Sequence, residues 1–260
     1  MRPIAFSAGP VTVRWYGIAY AVALIVGLII INSEVRRKGL DLTVNDTIDF
    51  ILIVFPLGLI GARAFYVAFN LDYFLDHPLT VFGITPGAGF GIAGLAIHGG
   101  LIGGIIGVLI FVKLKSVEFW DFADALAPAL ILGQAIGRVG NFLNGDAYGY
   151  PTDLPWGVVF KQGTAAGMKY PGQALHPAML YEMIANLIIF VVLWRLRLEG
   201  YKSGFIISMY FILYSIGRAL TSVFRAGSLW IGPVRSAHVL SVLLIIGFGA
   251  FIYVRKLYLR

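Results

Sequence analysis

Residues 236–254 have the sequence SAHVLSVLLIIGFGAFIYV, which contains no Asp, Glu, Lys or Arg. The hydrocarbon core of a bilayer is about 30 Å thick, so a helix of about 20 such residues crosses it. This stretch predicts a transmembrane helix, and the preceding sequence contains six more of the same kind. The predicted fold is therefore all-α, a polytopic integral membrane protein with seven spans at residues 15–32, 48–70, 91–112, 120–143, 177–194, 204–223 and 236–254.

The composition excludes other classes of protein. Hydrophobic residues make up 59% of the 260 positions and charged residues 13%, whereas soluble domains have about 25% charged residues. The same numbers exclude a disordered chain. The net charge of +7 is better explained by membrane orientation and anionic lipid than by nucleic acid. Without cysteine, the chain has no thiolate nucleophile of its own.

The basic residues predict an orientation. When the ends of the spans are assigned alternately to two sides, eleven Lys and Arg fall on one side and six on the other. The positive-inside rule then places the N-terminus outside and the C-terminus in the cytoplasm. The long polar segment 144–176 becomes a small extracytoplasmic head, inserted between spans four and five of a single membrane domain, 1–260.

Several ionisable residues fall inside the predicted spans, where a charge costs about 2.5–3.5 kcal/mol on insertion scales. Arg138 and Arg218 lie toward the outer ends of their helices. If they face the bundle interior, they form an anion site open to the outer leaflet; the alternative is snorkelling to the headgroups. The other members of this set are Arg63, His98, Asp124 and Glu182.

The glycines after His98 have two explanations. They remove side chains beside the imidazole, so that a bulky substrate could approach it. Alternatively, the spacing of Gly99, Gly103 and Gly107 is typical of close helix packing. The two explanations are compatible.

Residues 137–149, with the sequence GRVGNFLNGDAYG, also allow two interpretations. Their Arg, Asn and Asp side chains could bind phosphate and glycerol oxygens, with glycines that let a ligand approach the backbone. Gly and Asn are equally expected where a helix ends in a turn. Physical reasoning alone therefore reaches an outward-facing cationic pocket with His98 as a candidate base.

These motifs, in this order, resemble the prolipoprotein diacylglyceryl transferase family of bacterial inner-membrane enzymes. The most specific match is the run Gly-Arg-x-Gly-Asn-Phe-x-Asn-Gly at residues 137–145. The others are residues 15–17, 61–63, 98–103, Asp124 with 127–128, 176–177 with 180–182, Tyr214, 217–218 and 224–225.

The resemblance implies an enzyme of the bacterial cytoplasmic membrane whose active site faces the outer leaflet. It would move the sn-1,2-diacylglyceryl group of phosphatidylglycerol onto the lipobox cysteine thiol of a prolipoprotein and release glycerol phosphate. No metal or cofactor is implied. The implied catalytic residues are His98, Arg138 and Arg218. The implied substrate-binding residues are Tyr16, Gly99, Gly100, Asn141, Asn144, Asp146, Gly149, Glu182, Tyr214 and Arg225.

The chain departs from the family pattern in two charged positions. Asp146 stands where the family has Glu, and Ser222 stands where a Glu commonly lies four residues after the Arg matched by Arg218. The alternative function is a transporter or channel for an anionic solute. That alternative predicts internal repetition, and the seven spans show no convincing repeat.

Overall fold

The computed structural model describes residues 4–8, 11–85, 89–90 and 94–259, and seven helices in these ranges are long and apolar enough to cross a membrane. The prediction of an all-α membrane protein with seven spans is confirmed. In chain order the helices are α1 (Trp15–Lys38), α2 (Val44–Ala68), the short α3 (Leu71–Asp76), α4 (Ile97–Leu114), α5 (Phe119–Asn144), the short α6 (Ala165–Lys169), α7 (Ala178–Leu196), α8 (Phe205–Ser222) and α9 (Ser236–Val254).

Three of the predicted span boundaries differ from the helix ends by four residues or more: α2 begins at Val44 rather than residue 48, and the other two are the end of α1 and the start of α4. Helix α1 continues past residue 32 to Lys38, because Glu34 is fully buried and its carboxylate pairs with Arg37 at 2.8 Å and Arg197 at 2.5 Å. Helix α4 begins at Ile97, whereas span three was predicted to start at residue 91, which lies outside the described residues. Ala96 has an extended backbone, and its N–H donates to the carbonyl of Ala62 at 3.0 Å.

Short antiparallel strand pairs precede α1 and connect several helices. In the segment 144–176, one pair flanks α6, and Phe160, Ala166 and Leu175 pack there with Met179. This segment is therefore a small folded region with its own apolar centre. The pairs are β1 (Ile4–Ala8) with β2 (Val11–Arg14), β3 (Ile84–Thr85) with β4 (Gly89–Phe90), β5 (Val158–Val159) with β6 (Ala174–Leu175), and β7 (Trp230–Ile231) with β8 (Val234–Arg235).

The chain divides into two compact units, which are described separately. One contains residues up to 38 together with residues from 123 onward, and the other contains residues 39–122. In the second unit α2 packs closely against α4 along a glycine seam. A Cβ on Gly99 would lie 2.1 Å from the carbonyl oxygen of Gly61, and a Cβ on Gly103 would lie 2.1 Å from that of Leu57. The close packing predicted for these glycines is confirmed.

Arg63, also in the second unit, holds the connection between α2 and α4. Its guanidinium donates to the carbonyls of Val81 at 2.9 Å and Gly94 at 3.0 Å, and also to that of Thr80. The group lies over the ring of Phe74, 5.0 Å from the centroid. These bonds satisfy backbone acceptors in the short 3-10 helix Pro78–Phe82 and in the residues just before α4. Arg63 therefore orders the chain that leads into α4.

Asp124, in the first unit, caps a helix distant in sequence. Helix α8 follows Gly204 and has no side-chain cap from its own preceding residue. Asp124 is 2% exposed, and its carboxylate accepts hydrogen bonds from the backbone N–H of Gly204 at 3.0 Å and of Ile207 at 2.9 Å. A carboxylate at a helix start satisfies orphan donors and favours the helix dipole. This explains an ionisable residue within a predicted span.

Candidate functional site

Glu182 is the centre of the site. It lies one turn inside α7, which begins immediately after Pro177, and it is 4% exposed. Three guanidinium groups converge on its carboxylate. The nitrogen–oxygen distances are 2.5 Å for Arg138, 2.6 Å for Arg218 and 3.1 Å for Arg225.

The charges in this cluster do not balance. One carboxylate faces three guanidinium groups, so the four side chains together carry a surplus of two positive charges. The arginine side chains are 19–24% exposed, whereas Glu182 is almost fully covered. Each guanidinium has five N–H donors, and Glu182 can occupy only some of them. The arrangement can therefore bind an additional anion with planar, charge-assisted hydrogen bonds.

The backbone of the segment 144–176 pairs with Arg225 and holds it beside Glu182. Arg225 follows the end of α8 and forms an antiparallel bridge with Gly149. A Cβ on Gly149 would lie 2.5 Å from Cβ of His176 and 2.6 Å from the carbonyl oxygen of Phe224. Only glycine fits between the segments that contain His176 and Phe224, so Gly149 sets the position of Arg225.

A polar network extends from Arg138 along the end of α5. Arg138 Nη1 donates to Asn141 Oδ1 at 3.2 Å, and Asn141 Nδ2 donates to Asp146 Oδ1 at 2.6 Å and to Tyr16 Oη at 3.5 Å. Asn144 Nδ2 donates to the other oxygen of Asp146 at 2.9 Å. Because Asp146 accepts from both amides, it fixes their orientation and directs the Asn141 oxygen toward Arg138.

The end of α5 is also a helix cap. The backbone N–H of Gly145 and of Asp146 both donate to the carbonyl of Asn141, at 2.9 and 3.2 Å, and Gly145 has a φ of 71°. The helix-cap interpretation of residues 137–149 is therefore confirmed, and the same residues place a cluster of polar side chains beside Arg138.

Helix α1 packs against the last part of α5 at Gly140. A Cβ on Gly140 would lie 3.2 Å from both Tyr16 Cδ2 and Ala19 Cβ. Tyr16 accepts a hydrogen bond from the hydroxyl of Tyr20 at 3.1 Å. Gly140 thus allows the Tyr16 hydroxyl to reach Asn141.

An aromatic group beside Glu182 was not predicted from the sequence. The rings of His176, Tyr181 and Phe224 pack with centroids 5.1–6.0 Å apart. The Tyr181 hydroxyl lies 3.1 Å from His176 Nδ1 and accepts a hydrogen bond from Trp156 Nε1 at 2.7 Å. Tyr181, directly before Glu182, and His176, six residues before it, were a signal that could have indicated this group.

The site contacts described so far do not include four of the predicted site residues. His98, Gly99 and Gly100 belong to the compact unit 39–122, where the exposed His98 ring packs on Phe65 with centroids 5.9 Å apart. In the first unit, Tyr214 stacks on Tyr210 at 5.9 Å. Among the described residues, no group of three His, Cys, Asp or Glu is placed to hold a metal ion.

Comparisons with known proteins agree with the resemblance found in the motifs. A family model described as prolipoprotein diacylglyceryl transferase matches residues 3–254. A phosphatidylglycerol–prolipoprotein diacylglyceryl transferase of Fusobacterium nucleatum is 38% identical, with 94% of this chain and 95% of the relative aligned. Proteins of the same name from Clostridioides difficile and Clostridium botulinum are each 39% identical, with 98% and 97% of this chain and 96% of each relative aligned. The predicted resemblance is confirmed, and this chain belongs to the prolipoprotein diacylglyceryl transferase family.

Proposed function

We propose that this chain transfers the sn-1,2-diacylglyceryl group of phosphatidylglycerol to the thiol of a lipobox cysteine in a prolipoprotein, releasing glycerol phosphate. The observation that carries the proposal is the surplus of positive charge around Glu182, which suits a phosphodiester and the phosphate that leaves it. Family membership supplies the reaction class. The absence of cysteine fits, because the attacking thiol belongs to the substrate.

The reaction forms one bond and breaks one. The thiolate sulfur attacks the glycerol carbon that bears the phosphodiester oxygen, and a carbon–sulfur bond forms as the carbon–oxygen bond breaks. The electron pair of the broken bond remains on the oxygen of the departing glycerol phosphate. Charge therefore grows on that phosphate in the transition state, and Arg138 and Arg218 would stabilise it. One well-placed donor of this kind is commonly worth about 3–4 kcal/mol.

Glu182 would keep the arginines in place between substrates. Three guanidinium groups repel one another, and a shared carboxylate offsets this repulsion while leaving donors free. Asn141 and Asn144, held by Asp146, would contact the glycerol and headgroup oxygens. Tyr16 and Tyr214 would line the same pocket, with Gly149 setting the loop that carries Arg225.

We assign the proton transfer to His98. A cysteine thiol ordinarily has a pKa of about 8.5, so a base raises the thiolate fraction at neutral pH. Imidazole is suited to this step. The packing of α2 on α4 fills the space at Gly99, where a Cβ would lie 2.1 Å from the carbonyl oxygen of Gly61, so Gly100 rather than Gly99 would leave room for the substrate beside the ring. The alternative role for His98 is to orient the lipid headgroup.

The sidedness follows from the basic residues. We place the N-terminus and segment 144–176 outside the cytoplasmic membrane, with the active site facing the outer leaflet and the C-terminus in the cytoplasm. The cysteine-free chain allows a direct test, because a single introduced cysteine is the only reactive thiol. In intact spheroplasts, an impermeant maleimide should label Lys161→Cys and should label Lys256→Cys only after permeabilisation. The reverse pattern would overturn the orientation.

Reconstitution tests the activity itself. The purified chain in vesicles containing phosphatidylglycerol should add a diacylglyceryl mass to a synthetic lipobox peptide and release glycerol phosphate. Arg138→Ala and Arg218→Ala should each lower kcat about 10²–10³-fold. Lys161→Ala, which removes an exposed positive charge elsewhere, is the matched control and should leave the rate unchanged. No product from the wild-type chain would overturn the proposal.

A further inference from the structure

A second polar layer lies one helical turn deeper in the bundle than the arginine cluster. The contacts with Glu182 bring together the last part of α5, the first part of α7 and the last part of α8. Residues three or four positions apart share one face of a helix. One turn from the arginine cluster, the residues on these faces are Gln134 on α5, Asn186 on α7 and Ser215 on α8.

The helix contacts place this second layer between the same helices. Gln134 Nε2 donates to the hydroxyl of Tyr210 at 2.8 Å, which joins α5 to α8. A Cβ on Gly217 would lie 3.4 Å from Ile189 Cδ1 and 3.6 Å from Ala185 Cβ, so α7 and α8 are in close contact at this depth. With a rise of about 1.5 Å per residue, the two layers are about 5–6 Å apart.

The atoms of this layer lack partners. Within the described residues, Asn186 Nδ2, Ser215 Oγ and Gln134 Oε1 are buried and make no hydrogen bond. Asn186 is 4% exposed and Ser215 is 1% exposed. A buried polar group without a partner costs about 1–3 kcal/mol, and native proteins contain few of them. Two of these atoms, Asn186 Nδ2 and Ser215 Oγ, are hydrogen-bond donors.

We propose that Asn186 and Ser215 form a subsite for the ester groups of the diacylglyceryl moiety. This inference rests on the proposed function. In a glycerophospholipid the phosphate is on one carbon of the glycerol and the two acyl esters are on the other two carbons. The esters therefore lie deeper in the leaflet than the phosphate. With phosphate at the arginines, ester carbonyl oxygens fall at the level of the unpartnered donors. Both donors are covered by protein, so lipid binding has to turn their side chains toward the arginines.

The subsite has a mechanistic consequence. Arginines alone hold a phosphate but leave the glycerol free to rotate about the carbon–oxygen bond that breaks. Hydrogen bonds to the ester carbonyls fix the glycerol at a second point and so orient the carbon that the thiolate attacks. The subsite also selects an acyl ester over an alkyl ether, because an ether lacks the carbonyl acceptor.

The test compares phosphatidylglycerol with a 1,2-di-O-alkyl analogue of equal chain length, using one lipobox peptide. The wild-type chain should prefer the diester lipid about tenfold or more in kcat/KM, the effect of losing one or two hydrogen bonds. Asn186→Leu and Ser215→Ala should each reduce this preference while leaving the diether rate unchanged. Ser215→Thr keeps the donor and should keep the preference.

Thermal unfolding separates this role from a structural one. Replacing an unpartnered buried polar group with an apolar group should leave the midpoint unchanged or raise it. Ser208→Ala is the matched control: Ser208 is buried on the same helix but donates to the carbonyl of Gly204 at 2.6 Å. This control should lower the midpoint and leave the lipid preference intact.

Two results would overturn the subsite: equal use of both lipids by the wild-type chain, or an undiminished preference in both Asn186→Leu and Ser215→Ala. Failure of the wild-type chain to use either lipid would instead overturn the proposed function.

Discussion

The hydroxyl oxygen of Ser222 lies 3.0 Å from Nε2 of His238, which joins the end of α8 to the start of α9. The same nitrogen lies 3.1 Å from the carbonyl oxygen of Ala219, which can only accept, so Nε2 carries a proton. The guanidinium of Arg235 donates to the carbonyl of Ser222. The last carbonyls of a helix have no partner within it. Here α9 and the residue before it supply partners.

His238→Ala should therefore weaken the end of α8. Loss of this donor leaves the Ala219 carbonyl and the buried Ser222 hydroxyl with fewer partners, which should cost about 1–3 kcal/mol in the free energy of unfolding. His238→Gln keeps an N–H donor and should recover part of the loss. Chemical denaturation in detergent measures both variants.

The control for this prediction is His77→Ala, because His77 is exposed at the end of α3. Its ring contacts Tyr73 at the exposed surface, so its stability should stay within about 0.5 kcal/mol of the wild type. Equal losses in His238→Ala and His238→Gln would argue against the hydrogen bond as the source of the effect.

The second prediction concerns the carboxylate shared by three arginines. Glu182→Gln removes the charge that holds them together, and breaking a buried pair in this way commonly costs about 3–5 kcal/mol. Arg225→Gln alone should cost less, because Glu182 keeps Arg138 and Arg218. In the Glu182→Gln background, however, Arg225→Gln should stabilise the protein, because it removes one of three repelling charges.

A double-mutant cycle in chemical denaturation measures this change of sign. Contacting charged residues show coupling of about 0.5–3 kcal/mol. If the two substitutions simply add, Glu182 does not serve as the shared counter-ion that the distances indicate.

The seven spans could be predicted from the sequence because the bilayer imposes one length on every apolar helix. Their ends could not be predicted as well. The apolar stretch of the first span ends at residue 32, but α1 continues because Arg37 and Arg197 neutralise Glu34. Arg197 is far from Glu34 in the sequence. A local measure of polarity cannot include such a partner.

The candidate site was only partly predictable for the same reason. The sequence singled out Arg138, Arg218 and Glu182 as charges in apolar surroundings. It did not show that one carboxylate holds both arginines and Arg225, since that depends on the packing of three helices. Gly149 likewise has no local signature for its close approach to Phe224.

The third prediction concerns Asp146, whose carboxylate accepts hydrogen bonds from Asn141 and Asn144. Asp146→Glu keeps a carboxylate that can accept from both Asn141 and Asn144, so the transfer rate should stay within a few-fold of wild type. Asp146→Asn has one acceptor oxygen and should lose one of the two bonds, lowering kcat/KM about tenfold. Peptide lipidation measured by mass spectrometry gives both rates.

Asp153→Asn, at an exposed position of the same segment, is the control and should behave as wild type. A greater loss in Asp146→Glu than in Asp146→Asn would show that the distance between the carboxylate and the asparagines matters more than its charge.

The fourth prediction separates the two roles of His98. A histidine base acts in its neutral form, so the transfer rate of the wild-type chain should fall toward acidic pH, the range in which an imidazole is protonated. His98→Gln cannot accept a proton in this range, and general-base catalysis commonly contributes about 10²–10⁴-fold. The variant should therefore be slower by that order and should lose the acidic limb of the pH–rate profile. An acidic limb that persists with only a modest loss of rate would exclude the base and leave headgroup orientation. Because the His98 ring packs on Phe65, a parallel Phe65→Leu variant shows how far ring position alone affects the rate.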